Sequence, residues 1–118
     1  MFGEENKIQF ACAKWLRENG YLFFHTPNEG RRTAQQGSKL IALGLQPGVH
    51  DLCILLDGGI TVWIELKTKK GIVSQHQKNW HEKIIKKGHH SHLLRAESPE
   101  QAVSILASIL EAHSARSQ

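Results

Sequence analysis

The chain has 118 residues, 40% of them hydrophobic and 22% charged, with a formal net charge of +4. That balance excludes a disordered chain, and the length suits one globular domain, taken here as residues 1–118. No apolar run reaches the roughly 18 residues a membrane helix needs, and Met1 to Lys7 is too polar for a signal peptide, so a cytoplasmic protein without membrane attachment is expected.

Residues 4–19 read as a helix, because Ile8, Ala11, Cys12, Trp15 and Leu16 recur on one face and Gly20 stops the run. Tyr21 to His25 is a short aromatic strand, and Thr26 to Gly30 is a loop by its turn residues. Ala34 to Leu43 forms a short helix ended by Gly44, and a second loop holds Pro47 and Gly48. Cys12 and Cys53 are far apart within apolar segments, which predicts two buried, reduced thiols.

Asp51–Leu56 and Ile60–Lys67 are β-rich runs flanking Asp57-Gly58-Gly59, a hairpin signal. A two-residue loop at Gly58-Gly59 would pair Asp57 with Ile60 and set polar residues opposite apolar ones. A three-residue loop pairs Leu56 with Ile60, Ile54 with Val62 and Leu52 with Ile64, and makes one face wholly aliphatic through Leu66. Hydrophobic patterning selects the second register. Asp51 then lies opposite Glu65 on the other face, with Cβ atoms roughly 5 Å apart, and Lys67 shares that face two residues on. Two carboxylates this close are costly unless a cation neutralises them. A hard divalent ion held there would polarise a phosphate and acidify a water, with Lys67 orienting that water or stabilising developing charge. Ordinary surface charges at an exposed hairpin end are the bland alternative.

Ser74 to Lys87 reads as a helix capped by Ser74 and ended by Gly88, with Trp80 and Ile84 on its core face. From Lys67 to Arg95 seven lysines and one arginine stand against one acid, Glu82. Such a stretch suits a polyanion or simply a solvated helix surface. His89, His90 and His92 match no common zinc spacing, which leaves weak phosphate contacts as the better reading. Ser91 to Arg95 is a short strand. Pro99 to His113 is a final helix with Ser98 as N-cap and Ala102, Val103, Leu106, Ile109 and Leu110 as its apolar face, and residues 114–118 read as a frayed tail. The order α-β-α-β-β-α-β-α predicts an α/β fold, a central mixed sheet flanked by helices.

Asp51 followed by Glu65-Leu66-Lys67 has the D…(D/E)-x-K pattern of the PD-(D/E)XK nuclease superfamily. Glu5 ahead of Ile8-Gln9, the stretch His25-Thr26-Pro27-Asn28-Glu29-Gly30-Arg31, Gly44 with Pro47-Gly48-Val49-His50-Asp51, and Ser74-x-x-Gln77-x-x-Trp80 with Gly88 add to it. Together they resemble the virus-type replication-repair nuclease (VRR-NUC) domain over nearly the whole chain. His50 departs from the pattern, which has proline there.

The resemblance implies a restriction-endonuclease-like core and an endonuclease that hydrolyses DNA with Mg2+ or Mn2+. In it Asp51, Glu65 and the backbone carbonyl of Leu66 hold the metal, and Lys67 is the catalytic lysine. Glu5 lies near the metal or its waters, and Gln77 borders the site. Helix chemistry alone does not separate Glu4 from Glu5, since both are first-turn acids, and Gln77 also completes a capping box with Ser74. Stand-alone members resemble homodimeric four-way-junction resolvases, so branched DNA is the expected partner. Asn28, Glu29, Arg31, Arg32, Lys39, Lys69 and Lys70 are the expected DNA contacts, the arginines as phosphate clamps. A flap, nicking or duplex nuclease keeps the same chemistry. A binding module without catalysis fits less well, because it has no use for paired carboxylates beside a phosphate.

Overall fold

The computed structural model describes residues 3–26 and 33–116. Its elements are α1 (Glu4–Glu18), β1 (Leu22–His25), α2 (Ala34–Ala42), β2 (Leu52–Leu56), β3 (Ile60–Thr68), α3 (Gln75–Lys86), β4 (His90–Ala96) and α4 (Pro99–Arg116). The expected order is present, with ends shifted by a residue or so. The larger difference is the C-terminus, where α4 continues to Arg116 instead of fraying after His113. His113 is only 5% exposed and packs against β4, which anchors the last turns.

The strands form one sheet in the order β1-β2-β3-β4. β1 and β2 pair antiparallel, as do β2 and β3, whereas β3 and β4 are parallel, so α3 supplies the crossover a parallel pair requires. The hairpin register is the one the aliphatic face demands: Leu52 pairs with Ile64, Ile54 with Val62 and Leu56 with Ile60. Asp57–Gly59 makes a 3-10 turn in which Gly58 and Gly59 both take positive φ.

Leu52, Ile54, Val62, Ile64 and Leu66 meet Ile8, Cys12 and Leu16 of α1 and Ala102, Leu106 and Leu110 of α4 in one buried core. Each of the larger side chains stabilises the fold by about 1.5–3 kcal/mol relative to exposure. Cys12 and Cys53 are free and buried, and burial pushes their thiols up to about 12 and about 11. The opposite sheet face receives α3, where Ile84 is buried and Trp80 packs edge-on to Trp63. No helix among the described residues is long and apolar enough to cross a membrane.

The loop from Gly44 to Asp51 is pressed against α3 at Gly48. Its φ is +87°, and a Cβ there would lie 2.2 Å from the His76 carbonyl oxygen. Strain and overlap act together, so Gly48→Ala is expected to cost at least about 2 kcal/mol. The check is a lowered urea midpoint at unchanged m value, and an unmoved midpoint would show that the loop relaxes freely.

Candidate active site

Asp51 leaves the loop as the sheet begins, and its backbone is tied to the end of β1. The Thr26 N–H donates to the Asp51 carbonyl at 2.9 Å, and the Thr26 hydroxyl donates to the His50 carbonyl. His25 Nδ1 lies 3.0 Å from that Asp51 carbonyl and 2.9 Å from the Gln9 side-chain amide. The Asp51 carboxylate turns across the hairpin, where Oδ2 accepts the Leu66 N–H at 2.9 Å. Glu65 and Lys67 follow from β3 on the face away from the core, as alternation requires. Both are nevertheless buried, because α3 and the Gly48 loop close over that end of the sheet.

Glu5, Asp51 and Glu65 each offer one carboxylate oxygen, and the three atoms lie within 4.8 Å of one another. Among the described residues this is the one cluster of acid, histidine or cysteine side chains compact enough for a metal ion. Lys67 Nζ sits 3.6 Å from Glu65 Oε2 and 3.8 Å from Glu5 Oε1. Glu5, not Glu4, is the acid drawn into the cluster, which resolves what first-turn chemistry left open. Gln77 holds two roles at once. Its Oε1 accepts the Ser74 N–H at 2.9 Å and completes the capping box, while its Nε2 donates to Glu65 Oε2 at 2.8 Å.

Burial, then the neighbouring Asp51 carboxylate, push the Glu65 carboxyl up to about 8, against the pull of Lys67. Such a group is ionised cheaply only with added positive charge. Three hard oxygen donors beside an ammonium fit a small divalent cation. Gly37 and Ile41 of α2 and Ser74 and His76 at the start of α3 wall the cleft above.

The expected DNA contacts divide. Lys39 is exposed on α2, and Lys69 and Lys70 are exposed just after β3, with Lys69 Nζ 3.2 Å from Glu97. Asn28, Glu29, Arg31 and Arg32 lie outside the described residues. The histidine expectation is corrected in part. His89 is exposed, but His90 and His92 point toward α4, where His92 Nε2 lies 2.8 Å from His113 Nε2 and the His90 ring 4.3 Å from the His113 ring. Their position on β4 turns them into the helix layer, where both are half-buried. Sequence reasoning treated His50 only as a departure in a turn. Its ring is fully buried, with Nδ1 3.6 Å from Glu65 Oε1. The available signal was an imidazole between Val49 and Leu52 beside an acid, in a segment bound for the interior.

These shifts fix a pH dependence for the cation-free protein. Glu65 keeps its proton up to about 8 when folded but loses it near 4.5 when unfolded, so its contribution falls as pH rises across that window. His50 is lowered from 6.5 to about 3 by burial and by His81 and His92, so its contribution rises with pH between those values. The two oppose each other up to 6.5, and Glu65 acts alone from there to about 8. In chelator the thermal midpoint is expected to fall over that upper range, and Glu65→Gln should abolish the fall; the same slope in both proteins would contradict it.

The VRR-NUC domain model matches residues 3–98 of the chain. A solved structure described as a "VRR_NUC domain protein" superposes with a TM-score of 0.70 at 18% identity, covering 92% of this chain and 88% of that one. A second, described as "VRR_NUC domain", gives a TM-score of 0.61 at 20% identity over 90% of this chain and 97% of that one. No curated protein matches. At these identities the two structures speak to the fold, which is consistent with the restriction-endonuclease-like type. With the domain model spanning most of its length and the D…E-x-K residues gathered at one end of the hairpin, the chain belongs to the VRR-NUC domain family, nucleases of the PD-(D/E)XK type.

Proposed function

We propose that the protein is a divalent-metal-dependent DNA endonuclease, selective for branched DNA such as four-way junctions and acting as a homodimer. The observation that carries the catalytic part is the meeting of the Glu5, Asp51 and Glu65 oxygens within 4.8 Å beside the Lys67 ammonium. Asp51 and Glu65 would hold the cation, with Glu5 at its edge. Leu66 would add its carbonyl, since its N–H already faces Asp51 and both backbone groups of a strand residue project to one edge. When bound, a Mg2+ or Mn2+ ion supplies charge neutralisation at a phosphate and a more acidic water.

The chain's own residues do the rest. Lys67 is held between two carboxylates, where its ammonium can meet charge developing on phosphate oxygens. Gln77 fixes Glu65 through Nε2 and keeps that carboxylate from swinging toward solvent. Exposed lysines along α3 and the adjoining turn, Lys69, Lys70, Lys78, Lys83 and Lys86, supply positive charge for the flanking backbone.

The dimer reading draws on β1, the outermost strand of the sheet among the described residues. This edge strand exposes Leu22 at 67% and Phe24 at 47%, next to Leu55 on β2. An apolar sheet edge of this kind needs a cover, and a second copy related by a twofold axis would also suit a symmetric junction.

Four-way junction, flap and plain duplex offered side by side with Mg2+ or Mn2+ should show cleavage strongest on the junction. Asp51→Asn and Lys67→Ala should each lower cleavage by roughly 10²–10³-fold or more while DNA binding persists. Equal cutting by wild type and both variants would discard the site. Sedimentation should give a dimer for the wild type and a monomer for Phe24→Asp; a wild-type monomer on junction DNA would remove the dimer from the proposal.

A further inference from the structure

We propose that His50 is a positioning residue that pins the inner oxygen of Glu65, backed by a polar chain through Ser91 to His81. This rests on the reading of Glu65 as a cation ligand. Glu65 presents two oxygens to different surroundings. Oε2 faces the cleft side and is held by Gln77 and approached by Lys67. Oε1 is sealed from solvent without a hydrogen bond, and His50 Nδ1 is likewise buried without one. These two atoms face each other at 3.6 Å.

The far end of the imidazole is fixed. His50 Nε2 lies 2.6 Å from Ser91 Oγ, and Ser91 Oγ lies 2.7 Å from His81 Nδ1. The His50 and His81 rings also stack, 5.6 Å apart and 27° from parallel. Ser91 has a single hydroxyl proton, so it donates to one histidine and accepts from the other. A glutamate that serves a cation is ionised and can only accept. His50 must then carry its proton on Nδ1, aimed at Glu65, and accept the Ser91 hydroxyl at Nε2, while His81 donates to Ser91. In that arrangement Ser91 is hydrogen-bonded to both histidines and the Nδ1 proton of His50 faces Glu65 Oε1. The opposite tautomer sets two lone pairs face to face in the interior, an arrangement buried polar groups avoid.

The consequence is a carboxylate bonded by Gln77 at one oxygen and faced by the His50 ring at the other. Outer groups of this kind orient metal ligands and fix their affinity. The PD-(D/E)XK pattern has proline at this position, which carries no side-chain donor, so this chain places a device where the pattern has none.

The test is Mn2+ titration of the whole protein by calorimetry, with thermal midpoints measured in chelator. Asparagine can set an amide N–H near the Nδ1 position, whereas glutamine reaches toward Nε2. His50→Gln is expected to weaken Mn2+ binding by about 10-fold or more, and His50→Asn to stay within about threefold of wild type, at comparable thermal midpoints. Ser91→Ala should fall between them. Equal weakening in the asparagine and glutamine variants, or none in either, overturns the positioning role. Should the variants fail to fold, imidazole 15N shifts of the Mg2+-loaded wild type decide, since an Nε2-protonated His50 refutes the proposal. Asp51→Asn separates the two levels. If wild type takes up no Mn2+ beyond Asp51→Asn, the metal-site reading fails and this inference with it. If binding depends on Asp51 but is indifferent to residue 50, only the role of His50 fails.

Discussion

Pairing Leu52 with Ile64 commits every residue of β2 and β3 to one side of the sheet. A slip of one position would drive the carboxylate of Glu65 into the aliphatic layer and turn Ile64 and Leu66 outward. The aliphatic side chains therefore do more than fill the core between α1 and α4. By holding the register they place Asp51 and Glu65 on the same side at the same end, and they bring Lys67 alongside. The loop to Asp51 and the start of α3 are built around that placement: Gly48 lets the two backbones touch, and Ser74 begins the helix where Gln77 can reach Glu65.

The site holds an acid in a place that resists its charge. Glu65 is 1% exposed and has two acidic neighbours, yet among the described residues only Lys67 offsets them with a full positive charge. Its other partners include dipoles: the Asp51 backbone, the Gln77 amide on one oxygen and the His50 ring by the other. Dipoles orient a carboxylate but neutralise little of its field, which is the situation a small divalent ion relieves. In the proposed site orientation falls to the protein, and neutralisation would fall to a cation.

Much of this architecture is written in local pattern. The alternation in Leu52–Leu56 and Ile60–Leu66 selects the register, and the register sets Asp51, one residue before the ladder, beside Glu65 and Leu66. The i, i+4 spacing of Ile8, Cys12 and Leu16 likewise gives α1 its buried face. What pattern could not show depends on contacts between distant segments. Nothing local tells that α3 would cover Glu65 and Lys67, so their burial and the raised pKa of Glu65 were not legible. Glu5 and Glu4 are equivalent until the pitch of α1 over the sheet is known. His90 and His92 looked available to phosphate because their partner, His113, comes from a helix far along the chain. His50 looked like a turn residue because Ser91, which anchors it, lies 41 positions away.

Gln77 ends two bonding networks with one amide group. Its carbonyl oxygen seals the first turn of α3 and its nitrogen grips the buried acid, so the helix start and the carboxylate share a fastening. Any rotation of that amide to follow a change at Glu65 would loosen the seal on Ser74. The backbone amide of Ser74, at the rim of the cleft, is thus coupled to the buried acid through a single side chain.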